Sequence, residues 1–279
     1  MKPALLLLAL ATPLVAADPL KSALLLHASF DRGPHADFAT GDTQLYTSPD
    51  RKRTPAQPGL HAGDAIEIAK GDGRFGDALN FRRKTKEQVF FKGERNLGFQ
   101  PKNWSGSASF WMRLDPDKDL EPGYCDPVQF LAQAWGEGNM FVEFSKDHTP
   151  RHFRYAIMAI TKLWNPNNQK WEEMQRRPMV AVEKPPFTRE RWTHVCFTFG
   201  NANTGAKDGW GRLYLDGAKV GEFSGWENTF NWEVDKSALT LGLAYVGLLD
   251  DLAVFNRPLT DDEVKTVFAL KRGIAELRQ

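Results

Sequence analysis

The sequence carries almost no net charge, since its 36 Lys and Arg residues are matched by 35 Asp and Glu residues for a formal charge of +1. Proteins that bind nucleic acid or anionic membrane surfaces concentrate basic residues, and such an excess is missing here. Long apolar runs are also missing after residue 17, so no later segment is predicted to cross a membrane. Nucleic acid is therefore not an expected partner, and no membrane-spanning segment is expected after residue 17.

The one long apolar run stands first in the sequence, MKPALLLLALATPLVAA. It combines Lys2, an apolar stretch and the small residues Val15-Ala16-Ala17, which predicts a secretory signal peptide over residues 1–17. A transmembrane helix is the weaker interpretation, because the run is too short to span and contains Pro13. The remaining residues, 18–279, are expected to form a single domain that is secreted or periplasmic.

Cysteine is scarce, with Cys125 and Cys196 the only two in the sequence. In an oxidising compartment an even pair permits one disulfide. Closing a loop of roughly 70 residues would contribute about 4 kcal/mol in the chain-entropy model. The alternative is two separate buried thiols, because a free cysteine packs as a small apolar residue. Both interpretations stay open at this point.

Sustained helical periodicity is missing from most of the chain, which instead shows more than ten short runs of strand-like alternation separated by turn signals. The run SASFWMRL, residues 107–114, is one example, and Asp216-Gly217 marks the tip of a hairpin. WTHVCFTFG alternates in the same way and places His194 on a face away from the core, where we expect it to be exposed. With 23 Gly, 19 Phe and 9 Trp, the composition favours an all-β sandwich.

The carboxyl-terminal part of the sequence combines a strand with the one clear helix. Asp250, Leu252 and Val254 share one parity, which predicts a strand that faces the core on that side. Thr260 and Glu263 then have the spacing of a capping box, and Val264 begins an apolar stripe on the helix that follows. The sequence therefore predicts a two-sheet antiparallel sandwich that ends in a short helix.

Six segments also resemble laminin G-like domains of the concanavalin A-like lectin/glucanase superfamily. They occur in the family's order: SFDRGPHAD, GDALNF, SGSASFWMR, RWTHVCFTF, GRLYLDGAKVG and GLLDDLAVFNRPLTDDEV. The resemblance covers about residues 23–270 and implies a jelly roll of two stacked antiparallel sheets. It also implies a structural calcium in many members, and frequent carbohydrate or protein binding. Because the same fold carries lectins, adhesion modules, hydrolases and lyases, the fold alone does not fix the function.

The resemblance implies a candidate calcium site at Asp31 and Asp250. In similar domains the first and last strands are neighbours, so the two carboxylates would converge on one ion, and Ca²⁺ prefers oxygen ligands. A carboxylate at the core edge, as expected for Asp250, needs a partner or a metal. The alternative is that Asp31 opens a turn and Asp250 pairs with an arginine.

Carbohydrate binding is the expected function, because aromatic faces stack on sugar rings while amides and carboxylates bind hydroxyl groups. Trp164 and Trp171 lie in a loop rich in Asn and Gln, and Trp226 and Trp232 lie in GWENTFNWE. These four tryptophans are the predicted ligand-binding residues. The alternative is that each one clamps its own loop onto the sheet.

Catalytic motifs are not found in the sequence. The E-x-D-x-x-E pattern of sandwich glycosidases is missing, and Glu137 and Glu143, six residues apart, do not replace it. We therefore expect a non-catalytic recognition module for a glycan or an extracellular protein. Two alternatives remain: a glycoside hydrolase or polysaccharide lyase, and a protein-adhesion or structural envelope component. The enzyme would require two carboxylates that meet in a groove on one sheet.

Overall fold

The computed structural model describes residues 17–133 and 135–279, and most of these residues lie in or between short strands. The predicted signal peptide therefore lies outside the described residues, apart from Ala17. The strands are β1 (Leu24–Ala28), β2 (Phe38–Ala39), β3 (Leu45–Ser48), β4 (Gln57–Pro58), β5 (Ile66–Ala69), β6 (Ala78–Phe81), β7 (Gln88–Lys92), β8 (Trp104–Arg113), β9 (Cys125–Leu131), β10 (Asn139–Phe144), β11 (Phe153–Met158), β12 (Met179–Val182), β13 (Thr193–Ala202), β14 (Gly209–Leu215), β15 (Ala218–Trp226), β16 (Ala238–Leu243) and β17 (Gly247–Phe255).

Helices are short and few. The α-helices are α1 (Ala17–Ala23), α2 (Pro116–Asp119), α3 (Thr161–Trp164) and α4 (Asp261–Ala269), and 3₁₀ turns cover Trp135–Glu137, Trp171–Glu173, Val234–Lys236 and Gly273–Arg278. Within the described ranges, none of these helices has the length and apolar character needed to span a bilayer.

The strands form two antiparallel sheets. We call the first the back sheet, in the order β15-β14-β13-β8-β17-β1-β2, with β6 also paired to β17 and β5 paired to β6. The second, the front sheet, has the order β12-β11-β10-β9-β16-β7-β3-β4. The predicted all-β sandwich with two antiparallel sheets and a short carboxyl-terminal helix is therefore confirmed.

The first and last strands of the sandwich are direct neighbours. β1 pairs with β17, with Leu24 opposite Phe255 and Leu26 opposite Val254. This is the arrangement that the family resemblance implies. It joins residues more than two hundred positions apart in the chain, so the fold depends on strongly non-local pairing.

One continuous core fills the space between the two sheets. It is formed by the inward-facing side chains, which alternate with outward-facing ones along most of each strand. On β10, Met140, Val142 and Phe144 are buried among the core residues. The intervening side chains of β10 point to the opposite face of the front sheet, because side chains alternate along a strand. Each fully buried residue of this kind contributes about 1.5–3 kcal/mol. The same alternation decides what the outer face of the sheet presents.

A second apolar layer covers the outer face of the back sheet. The predicted capping box is confirmed, since the Thr260 side chain accepts from Glu263 N and the Glu263 side chain accepts from Thr260 N. This cap starts α4, whose buried Val264 and Val267 pack against the back sheet. The 3₁₀ turn over residues 273–278 joins the same layer, as does Leu20 of α1.

His194 lies under this layer, so its predicted exposure is wrong. Its ring is fully buried, with Phe268 of α4 and Trp111 of β8 against it at 5.7 and 5.1 Å between centroids. Its Nε2 lies 2.9 Å from Ser109 Oγ. Burial lowers the pKa of His194 to about 3, so the ring is neutral.

The two cysteines are free thiols, which corrects the disulfide considered for Cys125 and Cys196. The reason is the layer structure of the fold. Cys125 belongs to the core between the sheets, whereas Cys196 points to the other side of the back sheet, into the layer beneath α4. The thiols are thus separated by a sheet, and each packs as a small apolar side chain.

Candidate functional site

The outer face of the front sheet carries a groove of about 490 Å³. Its floor comes from outward-facing side chains of β7, β9, β10 and β11, and the loop from 161 to 178 forms one side. The lining residues include Arg51, Arg53, Gln88, Tyr124, Asp126, Gln129, Asn139, Phe141, Glu143, Arg154, Met158, Trp164 and Trp171. The back sheet has a helix over its outer face, whereas this face of the front sheet is open.

Buried charged and amide groups form the centre of the groove. Arg154 of β11 lies directly opposite Glu143 of β10, and Arg154 Nη2 is 2.6 Å from Glu143 Oε1. On β9, Gln129 Nε2 donates to Asp126 Oδ2, and Thr240 Oγ1 donates to Gln129 Oε1 at 3.3 Å. These side chains are fixed by contacts to one another, so the floor is preorganised.

Asp126 and Glu143 meet in this groove on adjacent strands. The β9–β10 register shifts between Val142 and Phe144, which places Glu143 beside the irregular start of β9. Burial raises the pKa of Glu143 to about 7 against the opposing charge of Arg154. Burial, and secondarily the charge of Glu143, raises the pKa of Asp126 well above its usual range. Both carboxyl groups therefore hold a proton at higher pH than exposed acids do.

Two of the predicted tryptophans stand together at the side of the groove. Trp164 and Trp171 are in edge-to-face contact, with ring centroids 6.2 Å apart and planes at 73°. Both pack on a small apolar cluster formed by Phe141, Ala156 and Met158 on the outer face of the front sheet. Asn165 closes their loop through its contacts to Gln169, so that asparagine holds the loop in shape.

Several polar atoms that line the groove are buried and have no hydrogen-bond partner: Asp126 Oδ1, Arg154 Nε and Trp164 Nε1. Buried polar atoms are normally paired, because an unpaired one costs about 1–3 kcal/mol. A cluster of them around one concave surface is the arrangement that a ligand with hydroxyl or other polar groups would complete.

A smaller cavity of about 280 Å³ adjoins the groove. The two share Tyr124, Arg154 and Trp171, so they form one continuous surface. The smaller cavity adds Lys146, Asp147, His148 and Arg177 to the lining. This end of the surface is therefore basic, whereas the middle of the groove holds the Arg154–Glu143 ion pair and the buried Asp126.

The other two predicted tryptophans lie away from the groove. Trp232 is buried in an aromatic cluster beside Trp104, with centroids 5.2 Å apart, and its Nε1 donates to Gly138 O at 2.9 Å. Trp226 ends β15, and the guanidinium of Arg176 stacks 4.7 Å from its ring centroid. The structure thus brings Trp164 and Trp171 to one surface and leaves Trp226 and Trp232 elsewhere.

Asp31 and Asp250 converge on one loop and hold it through backbone N–H groups. Asp31 Oδ1 accepts from Asp77 N at 2.8 Å, and Asp250 Oδ2 accepts from Phe75 N at 3.0 Å. A bulge at Asp250, with Asp251 at a φ of 51°, breaks the predicted parity of this strand. Among the described residues no group of three or more His, Cys, Asp or Glu side chains is placed to hold a metal ion. Calcium at these residues therefore stays a prediction.

The sequence comparison with known families agrees with this architecture. The profile of a laminin G family, described as the concanavalin A-like lectin/glucanases superfamily, matches residues 95–265. The chain belongs to this superfamily. The matched range contains β8 to β17 and the whole central part of the groove floor. Among curated proteins, no sequence matches the chain.

Solved structures of the superfamily's jelly-roll type resemble the whole sandwich. Domain 4 of AbnA, a GH43 extracellular arabinanase from Geobacillus stearothermophilus, solved in complex with arabinotriose, has a TM-score of 0.53 at 16% identity, over 89% of this chain and 100% of that one. The receptor binding domain of botulinum neurotoxin mosaic serotype C/D has a TM-score of 0.57 at 10% identity, over 89% of this chain and 51% of that one. The binding domain of Paraclostridial Mosquitocidal Protein 1 has a TM-score of 0.52 at 14% identity, over 89% of this chain and 52% of that one. The chain spans about half the length of these two toxin domains, and at such identities the likeness shows the fold alone.

The residues at the centre of the groove were missed by the sequence analysis. Asp126, Gln129 and Arg154 were not singled out, and Glu143 was considered only with Glu137. The available signal was polar residues at the outward positions of consecutive strands: Gln129 on β9, Glu143 on β10 and Arg154 on β11. A solvent-facing sheet shows the same alternation, so this signal becomes specific only once the loop over residues 161–178 is known to cover one side.

Proposed function

We propose that this protein is an exported carbohydrate-binding module and that the groove on the front sheet is its binding site. The observation that carries the proposal is the set of buried, unpartnered polar atoms, Asp126 Oδ1, Arg154 Nε and Trp164 Nε1, next to two aromatic rings. The leader predicted for residues 1–17 supports export.

The chemistry of the groove suits a sugar. A pyranose or furanose ring has apolar C–H faces and polar hydroxyl edges, so it requires an aromatic surface beside hydrogen-bonding groups. Trp164 and Trp171 supply the first, and Asp126, Gln129 and Arg154 supply the second. Because those polar groups are held in place before binding, little side-chain entropy is lost when a ligand binds.

The similar structures support a carbohydrate over other small ligands. The arabinanase domain, whose full length the chain matches, was solved in complex with arabinotriose. The botulinum domain is a receptor binding domain, which keeps a protein partner as the competing ligand. We favour the glycan because the groove is concave and combines polar with aromatic side chains.

The experiment is a glycan array with the full chain, followed by calorimetry on the glycans that bind. Trp171→Ala and Asp126→Ala should each weaken binding by about tenfold or more, since each removes a direct contact. Trp226→Ala is the matched control, because Trp226 also stacks under an arginine but lies outside the groove. Loss of binding in Trp226→Ala with retention in Trp171→Ala would move the site to β15. Capture of a protein partner without any glycan binding would favour adhesion.

Glycoside hydrolysis is the second candidate function. It requires two carboxyl groups in one groove, and Asp126 and Glu143 both line this groove. In such a reaction one protonated carboxyl gives its proton to the bridging oxygen as the glycosidic C–O bond breaks. The other carboxylate takes a proton from water, whose oxygen forms the new bond to the anomeric carbon. Burial raises the pKa of Glu143 to about 7 and the pKa of Asp126 well above its usual range, which suits a proton donor.

The catalytic candidate has its own test. The glycans that bind are incubated with the chain, and the release of new reducing ends is measured. Release that is lost in Glu143→Gln and Asp126→Asn, while both variants still bind, would establish hydrolysis. No release by the unaltered chain, with binding intact, leaves a recognition module.

A further inference from the structure

We propose that the ligand of the groove is an acidic glycan, whose carboxylate or sulfate group is held by Arg154 and Arg177 in the smaller cavity. This inference rests on the proposed carbohydrate binding and adds the substrate class. It follows from how the charges of the site are distributed and paired.

The combined surface of groove and smaller cavity has a surplus of cationic side chains. Five basic residues line it, Arg51, Arg53, Lys146, Arg154 and Arg177, against the three acids Asp126, Glu143 and Asp147. Burial raises the pKa of both Asp126 and Glu143, which disfavours their negatively charged forms. The chain as a whole is nearly neutral at +1, so this local surplus is a feature of the site.

Arg177 is the clearest anion-binding group in the smaller cavity. Its guanidinium stacks 4.7 Å from the centroid of Trp171, and its buried Nε has no hydrogen-bond partner. Within the described part of the chain it forms no ion pair with a carboxylate. Stacking on Trp171 restrains the guanidinium plane, so its donors are preorganised for a planar or tetrahedral oxyanion.

Arg154 contributes from the floor shared by both cavities. Its side chain is 93% buried, one nitrogen contacts Glu143, and its Nε is left without a partner. A buried guanidinium with an unused donor gains more from an added anion than an exposed one does, because water competes less there. Lys146 lines the same cavity; it also pairs with Asp147 at 3.4 Å, so its charge is partly balanced already.

A glycan fits this arrangement better than a free anion because the two cavities are continuous. Tyr124, Arg154 and Trp171 belong to both linings. A sugar that stacks on Trp171 would therefore carry a ring substituent into the basic cavity beside Arg177. The carboxylate of a uronic acid and the sulfate ester of a sulfated sugar are both oxyanions that could bind there.

The experiment measures binding of matched acidic and neutral glycans to the full chain by calorimetry. The probes are galacturonan and alginate oligosaccharides with their carboxyl-reduced counterparts, carrageenan oligosaccharides with their desulfated counterparts, and neutral arabinan and xylan oligosaccharides. We expect at least one acidic probe to bind about tenfold or more tightly than its neutralised counterpart, because charge-assisted hydrogen bonds are lost on neutralisation. If a galacturonan or alginate oligosaccharide binds more tightly than its carboxyl-reduced counterpart, the bound group is a carboxylate. If a carrageenan oligosaccharide binds more tightly than its desulfated counterpart, the bound group is a sulfate.

Arg177→Gln should reduce the affinity for the acidic probe several-fold, towards that of its neutral counterpart, while the affinity for the neutral counterpart stays unchanged. Arg176→Gln is the control, since Arg176 stacks on Trp226 and donates to Ser224 O, away from the cavity. In the unaltered chain the affinity should also fall steeply as NaCl is raised from about 50 to about 500 mM, which requires no variant. Equal binding of acidic and neutral probes would overturn the acidic class and leave carbohydrate binding intact. Binding of no glycan of either kind would overturn both.

Discussion

Arg154 Nη2 lies 2.6 Å from Glu143 Oε1, across the β10–β11 pair, and both side chains are more than nine-tenths buried. The contact is made at the floor of the groove on the outer face of the sheet. A buried ion pair of this kind adds little net stability but costs much when one partner is removed. Its value here is positional, because it fixes one arginine and one carboxyl group where a ligand would contact them.

Removal of Arg154 should destabilise the fold strongly. Arg154→Leu is expected to lower the free energy of unfolding by about 3 kcal/mol at pH 8, since Glu143 is left buried and unpaired. At pH 5 the loss should be smaller, because Glu143, whose pKa is about 7, is then protonated. Urea denaturation at both pH values measures this. The control is Arg212→Leu, whose partner Glu222 is exposed, and whose cost should stay below about 1 kcal/mol. Equal costs for the two variants would contradict a buried pair.

Stability should fall as the pH rises through neutrality. Burial, and then the charge of Asp251, raises the pKa of Asp250 to about 7 from its usual 3.8. The folded state thus binds this proton more tightly than the unfolded state, so deprotonation favours unfolding. Between pH 6.5 and 8 one such group lowers the free energy of unfolding by about 1 kcal/mol. His194 acts in the opposite direction at the lower end of this range, because it is neutral in the folded state whereas about half of it is protonated in the unfolded state at pH 6.5.

Asp250→Asn should have a smaller pH slope than the unaltered chain, whatever its absolute stability, because an amide has no proton to lose. Thermal or urea unfolding at several pH values gives both slopes. Identical slopes would show that Asp250 is ionised throughout this range.

The calcium prediction is decided by melting temperature. An ion bridging Asp31 and Asp250 would raise Tm in millimolar calcium above Tm in EDTA, and the rise would disappear in Asp31→Asn. Asp31 Oδ1 accepts Asp77 N, so this variant also loses part of a loop contact that does not depend on metal. The difference in Tm between Asp31→Asn and the unaltered chain, both in EDTA, measures the contribution of that loop contact. Equal Tm values for the unaltered chain would remove calcium and leave the loop N–H groups as the partners of both acids.

The thiols should be unreactive until the protein unfolds. Burial raises the pKa of both Cys125 and Cys196, which keeps them in the protonated form. A thiol reagent should therefore label neither in the folded protein and both in denaturant, without any reductant. Labelling that requires reductant would show that the two cysteines are bonded to each other.

The sequence predicted those parts of the fold that depend on neighbouring residues. The Asp216-Gly217 hairpin, with φ values of 50° and 77°, follows from local turn chemistry. The capping box at Thr260 is equally local. Trp164 and Trp171 were placed together correctly because seven positions of one short loop separate them. Each of these features is specified within a few residues of sequence.

The features that were missed or wrong depend on residues that are distant in sequence. His194 is buried because a helix some seventy positions later covers it, and its own strand gives no sign of that cover. The parity at Asp250 fails because a bulge adds a residue to the strand. Asp126 and Glu143 become neighbours only through the shifted register of β9 and β10. The candidate site is thus a product of strand registration.

Residues near both ends of the described chain pack together behind the back sheet, where Lys21 Nζ donates to Gln279 O at 3.1 Å. The groove opens on the opposite side of the molecule. A biotin tag on the last residue would therefore hold the protein on a sensor chip with the groove directed into the flowing solution. In a dense layer of such tethered molecules every groove would face the solution, so the chip would present many copies of the candidate site to one long polymer.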